Sequence, residues 1–164
     1  MNGKEIVFHS IGTIRSPHGK LSEIPIQPVF AEGIEGQVIV HEEYVEGLSD
    51  LEGFSHIYLF YHFHRSEKSP MYVKPYLSNE KRGIFATRAP HRPNKLGMSL
   101  VRLDRIEKNT LYVKDIDILD GTTLLDIKPY IERFDYRNEV RSGWQDDISD
   151  SKASKEGLRN YKEH

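Results

Sequence analysis

The stretch FSHIYLFYHFHR, residues 54–65, is aromatic or β-branched at most positions and contains neither Gly nor Pro. That composition favours a pleated, half-buried strand. With a period of two, Ile57, Leu59, Tyr61 and Phe63 point one way, and His56, Tyr58, Phe60, His62 and His64 point the other. One face is suited to a core. The other is half-polar and suited to an interface or the wall of a site. Working outward, the same grammar recurs. KEIVFHSIGTIRS (4–16) reads as a strand stopped at Ser16-Pro17, and GQVIVHEEY (36–44) as a short strand. GIFAT (83–87) reads as another, and TLLDIKPY (123–130) as a strand that Pro129 ends. MSLVRLDRIEKNTLYVKDIDIL (98–119) reads as two strands joined at EKNT. There Leu111 and Val113 share a face with Asp115 and Asp117, so a bulge near Lys114 or Asp115 is needed to bring Ile116 and Ile118 inward. LSEIPIQPV (21–29), with Pro25 and Pro28, is a loop or edge, and EEYVEGLSDLEGF (42–54) one or two helical turns. No helical period is sustained before residue 145. Many short strands with turn signals predict a mostly β fold, a closed or nearly closed barrel with a few short helices.

A chain of 164 residues predicts one domain, set at residues 1–145, followed by a charged tail, 146–164, read as a solvated helix or frayed end. The net charge of −2 gives no global basic field, though a local patch is compatible with it. With no cysteine, disulfides, thiolate chemistry and Cys-based zinc sites are excluded. The start lacks a signal-peptide core, and no apolar run reaches membrane-spanning length, so a cytoplasmic protein without a membrane partner is expected. There is no GxGxxG, GK[ST] or GxSxG, which argues against a Rossmann, P-loop or hydrolase-elbow site.

The sharpest chemical signal is FATRAPHRPNKLGMS, residues 85–99. Its prolines forbid a helix and fix φ, and around them stand Arg88, His91, Arg92 and Asn94. Guanidinium groups recognise carboxylate or phosphate through paired donors, and an amide reads donor and acceptor together. His62 and His64 would clamp a metal only with a third ligand from elsewhere, and no metal site is expected. His64 and Arg65, at a strand end, suit a pocket mouth better. Asp120-Gly121 is a hairpin turn signal. Asp126, Lys128 and Tyr130 share one strand face, as a surface ladder pair or as part of a polar site.

Taken together, FATRAPHRPNKLGMS, IGTIRSP (11–17), PIQP (25–28), LEGFSHIYLFYHFH (51–64), LDGTTLLDIKPY (119–130) and RSGW (141–144) resemble, in order, the blocks of the TsaA-like, or TrmO, family of tRNA methyltransferases. The resemblance implies a single-sheet, non-Rossmann β-barrel that uses S-adenosylmethionine, often as a homodimer. It also implies methyl transfer to N6 of threonylcarbamoyladenosine beside the tRNA anticodon. Carried over by motif, the cofactor residues are Pro25, Ile26, Gln27, His64, Arg65, Arg88, Met98, Leu119, Asp120, Gly121 and Thr122. Arg88 would take the methionine carboxylate, Asp120 a ribose hydroxyl or the amino group, the backbone of 119–122 the adenine edge, and Met98 would cover the ring. His91, Arg92, Lys95 and Lys128 fall to the substrate side. Asn94, Asp126 and Tyr130 are the catalytic candidates, with Asp126 or Asn94 accepting a hydrogen bond near N6. Lys95 and Thr123 stand where the family motif has proline, and the loops are expected to keep the site with altered rigidity. A non-catalytic nucleotide- or RNA-binding module, or a methyltransferase with another substrate, are the competing expectations.

Overall fold

The structure is a computed structural model that describes residues 3–157. Eight strands form: β1 (Gly12–Arg15), β2 (Glu35–Val40), β3 (His56–His62), β4 (Tyr72–Val73), β5 (Arg82–Gly83), β6 (Leu96–Glu107), β7 (Thr110–Lys114) and β8 (Thr122–Pro129). Six close into a barrel in the order β1-β2-β7-β6-β3-β8, with β8 pairing back onto β1. All of these pairs are antiparallel. Strand β3 is central and lies between β6 and β8. Its alternation is as expected: Ile57, Leu59 and Tyr61 are buried, and His62 is exposed. With Ile14, Val38, Val101, Leu111, Val113, Ile116 and Leu124 they fill the barrel. Each fully buried aliphatic side chain contributes roughly 1.5–3 kcal/mol.

Three local expectations are corrected. The first strand does not begin at residue 4. Ile11 still bonds Leu124 and His41 through its backbone. Beyond it, β2 has already turned into a 3-10 helix (Glu42–Leu48), so no ladder is left to join, and Ile6, Val7 and Phe8 stay exposed. GIFAT is not a strand: Ile84–Ala86 is a 3-10 turn, and pairing occurs just before it, where Arg82–Gly83 meets Tyr72–Val73. The bulge near Asp115 is absent. The chain leaves the sheet at Lys114, Asp115 takes a positive φ of 68°, and Ile116, Asp117 and Ile118 all go inward as a loop. Gly33 N–H and a bidentate Arg102 hold the Asp115 carboxylate there. Register shifts lie instead in β6, between Leu103 and Arg105, and in the β3–β8 pairing, between Phe60 and Tyr61.

Strand direction sorts the connections. Segments 16–34, 63–95 and 115–121 emerge at one end of the barrel, here the loop end. Segment 41–55 and the two-residue turn Lys108-Asn109 lie at the other, the hairpin end. Two short helices follow β8: α1 (Glu132–Asp135) and α2 (Asp150–Gly157). The last residue of α2 packs back on the loop end. Ile26 N–H bonds Gly157 O, and a Cβ at Gly157 would overlap the Phe30 ring. The rest of the tail, 158–164, lies outside the described residues.

Candidate functional site

The strand half of the proline motif is read by pleat alone. Leu96 and Met98 face outward, roughly 40% exposed, while Gly97 and Ser99 face in. Gly97 is needed because a Cβ there would overlap the Tyr61 ring on β3. Ser99 Oγ donates to Asp117 Oδ1 at 2.6 Å and lies 2.9 Å from Tyr61 Oη. A hydroxyl has one proton, so Tyr61 donates to Ser99 and Ser99 to Asp117. This buried chain ties β3 and β6 to the 115–121 loop. Nearby, buried His18 donates its Nε2 proton to Ile116 O at 2.9 Å.

The loop half is held by side chains, since no sheet reaches it. Arg92 Nη1 donates to Thr87 O (3.0 Å) and Ala89 O (3.2 Å). Trp144, of the RSGW element, donates to Ala86 O at 2.8 Å. His91 Nδ1 meets buried Ser66 Oγ at 2.8 Å, and Lys95 turns the chain with a φ of 49°. Arg92 and His91, expected toward the substrate, are thus engaged within the loop. Arg88 is different. It is exposed, its Nη1 donates to Gln27 Oε1 at 2.8 Å, and it has no ion-pair partner among the described residues. The two expected cofactor elements, PIQP and the arginine loop, therefore touch. Pro25 is buried beneath them, with Ile26 half-buried. Asn94 is exposed.

The outer faces of β3, β6 and β8 continue from this contact. Phe60 pairs with Met98 on one side and Asp126 on the other, and Tyr58 with Leu100 and Lys128. Asp126 and Lys128 form an ion pair at 3.2 Å, both about half exposed, and Asp126 Oδ1 also accepts from Ile127 N–H. Tyr130 packs against Tyr58, ring centroids 6.1 Å apart. Burial, then the charge of Asp135 and the Tyr130 hydroxyl, raise the Tyr58 pKa. Arg88 pulls it back, which places that guanidinium within electrostatic reach of this face.

At the same end, the Leu119–Thr122 turn is bonded to the 14–18 segment and, at Thr122, to itself. Asp120 N–H bonds His18 O, Gly121 N–H bonds Ile14 O, and Thr122 bonds Leu119 O through both N–H and hydroxyl. Asp120 Oδ1 takes Ser16 N–H (3.0 Å) and Arg15 Nε (3.2 Å), while Oδ2 has no donor among the described residues. His64 and Arg65 are exposed at the end of β3. Burial and the neighbouring Arg65 charge lower the His64 pKa, so the ring is neutral at pH 7. Every expected cofactor residue thus belongs to the loop end, and the direct side-chain contact among them is Gln27 with Arg88. Asp126, Lys128 and Tyr130 run down β8 away from it.

Sequence reasoning passed over Tyr61, Ser66, Ser99, Asp117, His18 and Trp144. Their partners are remote in sequence, and only the Tyr61 pleat position and the RSGW block gave a signal. Among the described residues no group of three His, Cys, Asp or Glu is placed to hold a metal. A hollow of about 580 Å³ lies at the hairpin end against Leu48, Leu51, Phe54 and Ile127. Its ionisable acids are Glu43, Asp50 and Asp126 and it has no cation, so its sign is wrong for a carboxylate or phosphate ligand.

Comparison with known proteins gives consistent findings. Residues 13–136 match the tRNA-methyltransferase O N-terminal domain family. A probable S-adenosyl-L-methionine-binding protein of Pyrococcus abyssi is 53% identical over 139 residues, covering 85% of this chain and 76% of that protein. The human tRNA (adenine(37)-N6)-methyltransferase is 42% identical over 96 residues, 57% of this chain and 22% of that one. A crystal structure of TrmO superposes with a TM-score of 0.74 at 39% identity, covering 85% of this chain and 64% of that chain. The chain therefore spans just under two thirds of that solved relative.

Proposed function

Because the chain belongs to the tRNA-methyltransferase O N-terminal domain family, we propose that it is an S-adenosyl-L-methionine-dependent tRNA adenine-N6 methyltransferase. The observation that carries this reading is the Gln27–Arg88 contact, an uncompensated guanidinium at the loop end, the end at which β6 also begins with the exposed Leu96 and Met98. The donor set fits the cofactor: a cation for its carboxylate, the open Asp120 Oδ2 for a hydroxyl or ammonium, and an apolar surface for the adenine. Since the N–H groups of Asp120, Gly121 and Thr122 are spent on His18 O, Ile14 O and Leu119 O, the adenine edge falls to the Leu119 N–H and the turn's remaining carbonyls.

When bound, the cofactor supplies a methyl carbon on a sulfonium. The protein's part is alignment. Arg88 and Gln27 fix one end of the ligand, and the bonded loop keeps them from moving, which favours in-line approach of N6. Asn94 or Asp126 accepts the hydrogen bond of the N6 proton, and in the Asp126 case Lys128 balances the carboxylate charge. Lys95, with Lys128, faces the anionic groups of the substrate. The finer reading is that the base is threonylcarbamoyladenosine next to the anticodon. A second copy covers exposed apolar side chains, Leu96 and Met98 near the loop end and Phe134 and Tyr136 beyond β8, giving a homodimer. A cytoplasmic location follows from the substrate; no helix among the described residues is long and apolar enough to cross a membrane. In this reading residues 1–145 form the cofactor-binding unit, with 146–164 as an appended tail.

Mass spectrometry of tRNA nucleosides from cells with and without the gene tests the substrate. Loss of N6-methylated threonylcarbamoyladenosine is expected, and an unchanged level removes that reading. Titration calorimetry with S-adenosyl-L-methionine tests the cofactor, and sedimentation the dimer.

A further inference from the structure

Charge in this chain is strongly segregated. Residues 63–95 carry eight Lys and Arg against two Glu, a surplus of six, while the whole chain carries 23 against 25. The remaining residues therefore hold a deficit of eight. The basic segment is not a tail. It folds into the β4–β5 hairpin and runs on into the arginine loop. Leu77 and Ile84 bury its inner side, and Ile84 N–H bonds Met71 O. Arg82 lies over the Trp144 ring at 5.7 Å and pairs with Glu80. The scaffold is thus folded on itself and held by Trp144, which also donates to Ala86 O.

What it presents outward is unusual for a pinned surface. Met71, Tyr72 and Phe85 are 51%, 68% and 76% exposed. Tyr72 stands opposite Gly83, whose missing side chain leaves open space beside the ring. Lys68, Lys74 and Lys81 are exposed and unpaired by any acid among the described residues. Rigid aromatic rings interleaved with free ammonium groups match the chemistry of unpaired nucleic-acid strands, in which bases stack and phosphates seek cations. An apolar protein partner would not need the lysines, and a purely electrostatic one would not need the rings.

We propose that the β4–β5 hairpin and Phe85 form a stacking platform for unpaired bases of the RNA substrate, with Lys74 and its neighbours on the phosphates. Phe85 lies three residues before Arg88, so a strand held on the platform is delivered directly to the candidate site. The inference rests on the tRNA reading above and assigns to the hairpin the gripping of the loop around the modified base.

The test is fluorescence anisotropy with an anticodon stem-loop RNA, alongside cofactor calorimetry and tRNA methylation on the same proteins. Tyr72→Ala and Phe85→Ala each weaken RNA binding roughly 5- to 100-fold, with melting temperature and cofactor affinity unchanged. Phe85→Trp retains binding. Lys74→Gln lowers the slope of log affinity against log salt by about 0.7. Wild-type affinity in both alanine variants overturns the platform and leaves the methyltransferase reading intact. Binding that depends on the platform, in a protein that methylates no tRNA, supports the platform and removes that reading. A wild-type protein that binds anionic vesicles but no RNA overturns the proposal.

Discussion

The two ends of the barrel are built from the same strands and differ in nearly everything else. At the hairpin end, segment 41–55 carries five acids and no Lys or Arg. The other connection there is two residues long, and Asn109 closes it on Val40 through both its side chain and its backbone. At the loop end, the long 63–95 connection bears eight Lys and Arg, and its backbone is tied down by side chains: Arg92 on two carbonyls, Trp144 on Ala86, His91 on Ser66. The contrast teaches how this fold separates stability from chemistry. A short turn needs little beyond the ladder. A long loop must recruit polar side chains to become rigid, and those it does not recruit, Arg88 and Asn94 among them, are free to meet a ligand.

The comparison can be broken where the loop end is welded to the barrel. Gly97→Ala forces a methyl into the Tyr61 ring and is expected to cost about 3 kcal/mol. That lowers the melting temperature by roughly 6–12 °C. An unchanged melting temperature shows that the ring is not fixed by its bond to Ser99. Next come the two arginines of one loop. Arg88→Ala should weaken S-adenosyl-L-methionine binding by about 2 kcal/mol, roughly thirtyfold, with little change in stability. Arg92→Ala should lower the melting temperature instead, by roughly 2–4 °C for about 1 kcal/mol. If the two variants behave alike, the division between recruited and free cations is wrong.

Asp115 sharpens the comparison through pH. Burial pushes its carboxyl pKa up, but the bonds from Arg102 and Gly33 outweigh this and hold it below 3.8. A lowered folded-state value means stability present above the unfolded value of 3.8 and lost as pH falls from there through the folded value. The urea midpoint of the wild type should fall over that acidic range, and Asp115→Asn should flatten that part of the profile. The smallest effect belongs to the hairpin end. Lys108 has a φ of 55°, where glycine is unstrained, so Lys108→Gly should raise stability by about 0.5–1 kcal/mol without altering cofactor or RNA binding.

What the sequence discloses follows the range of the interactions. The pleat of β3 rests on local periodicity and could be read directly. Asp120-Gly121 does mark a turn, with Gly121 at a φ of 78°, but not the expected hairpin: it ends the 115–121 loop between β7 and β8, which are not neighbours in the barrel. The N-terminal β-branched run misled, because strand propensity at residues 4–10 means nothing without a neighbour to pair with. The 115–118 segment misled because alternation assumes a sheet, whereas Asp115 turns the chain out of it. Tyr61, Ser99 and Asp117 were hidden for another reason: isolated Ser and Asp look like surface residues until folding brings them together across 18 positions or more. The contrast between Arg88 and Arg92 was equally hidden, since both are arginines in one proline-rich run and only the carbonyls within reach distinguish them.

Closure of the sheet has a consequence for synthesis. The barrel seals when Gly12 meets Leu124, so the second residue of that pair leaves the ribosome long after the first. Until then β3 lacks one of its two neighbours, and the 16–34 and 63–95 loops have only part of their foundation. Contacts of such separation are entropically slow to form. Translation pauses or truncations before residue 122 would leave aromatic strand edges uncovered, the species on which chaperones act. The same stop would leave the Gln27–Arg88 contact unsupported, so ligand-binding competence should arise late, together with the last barrel strand and not loop by loop.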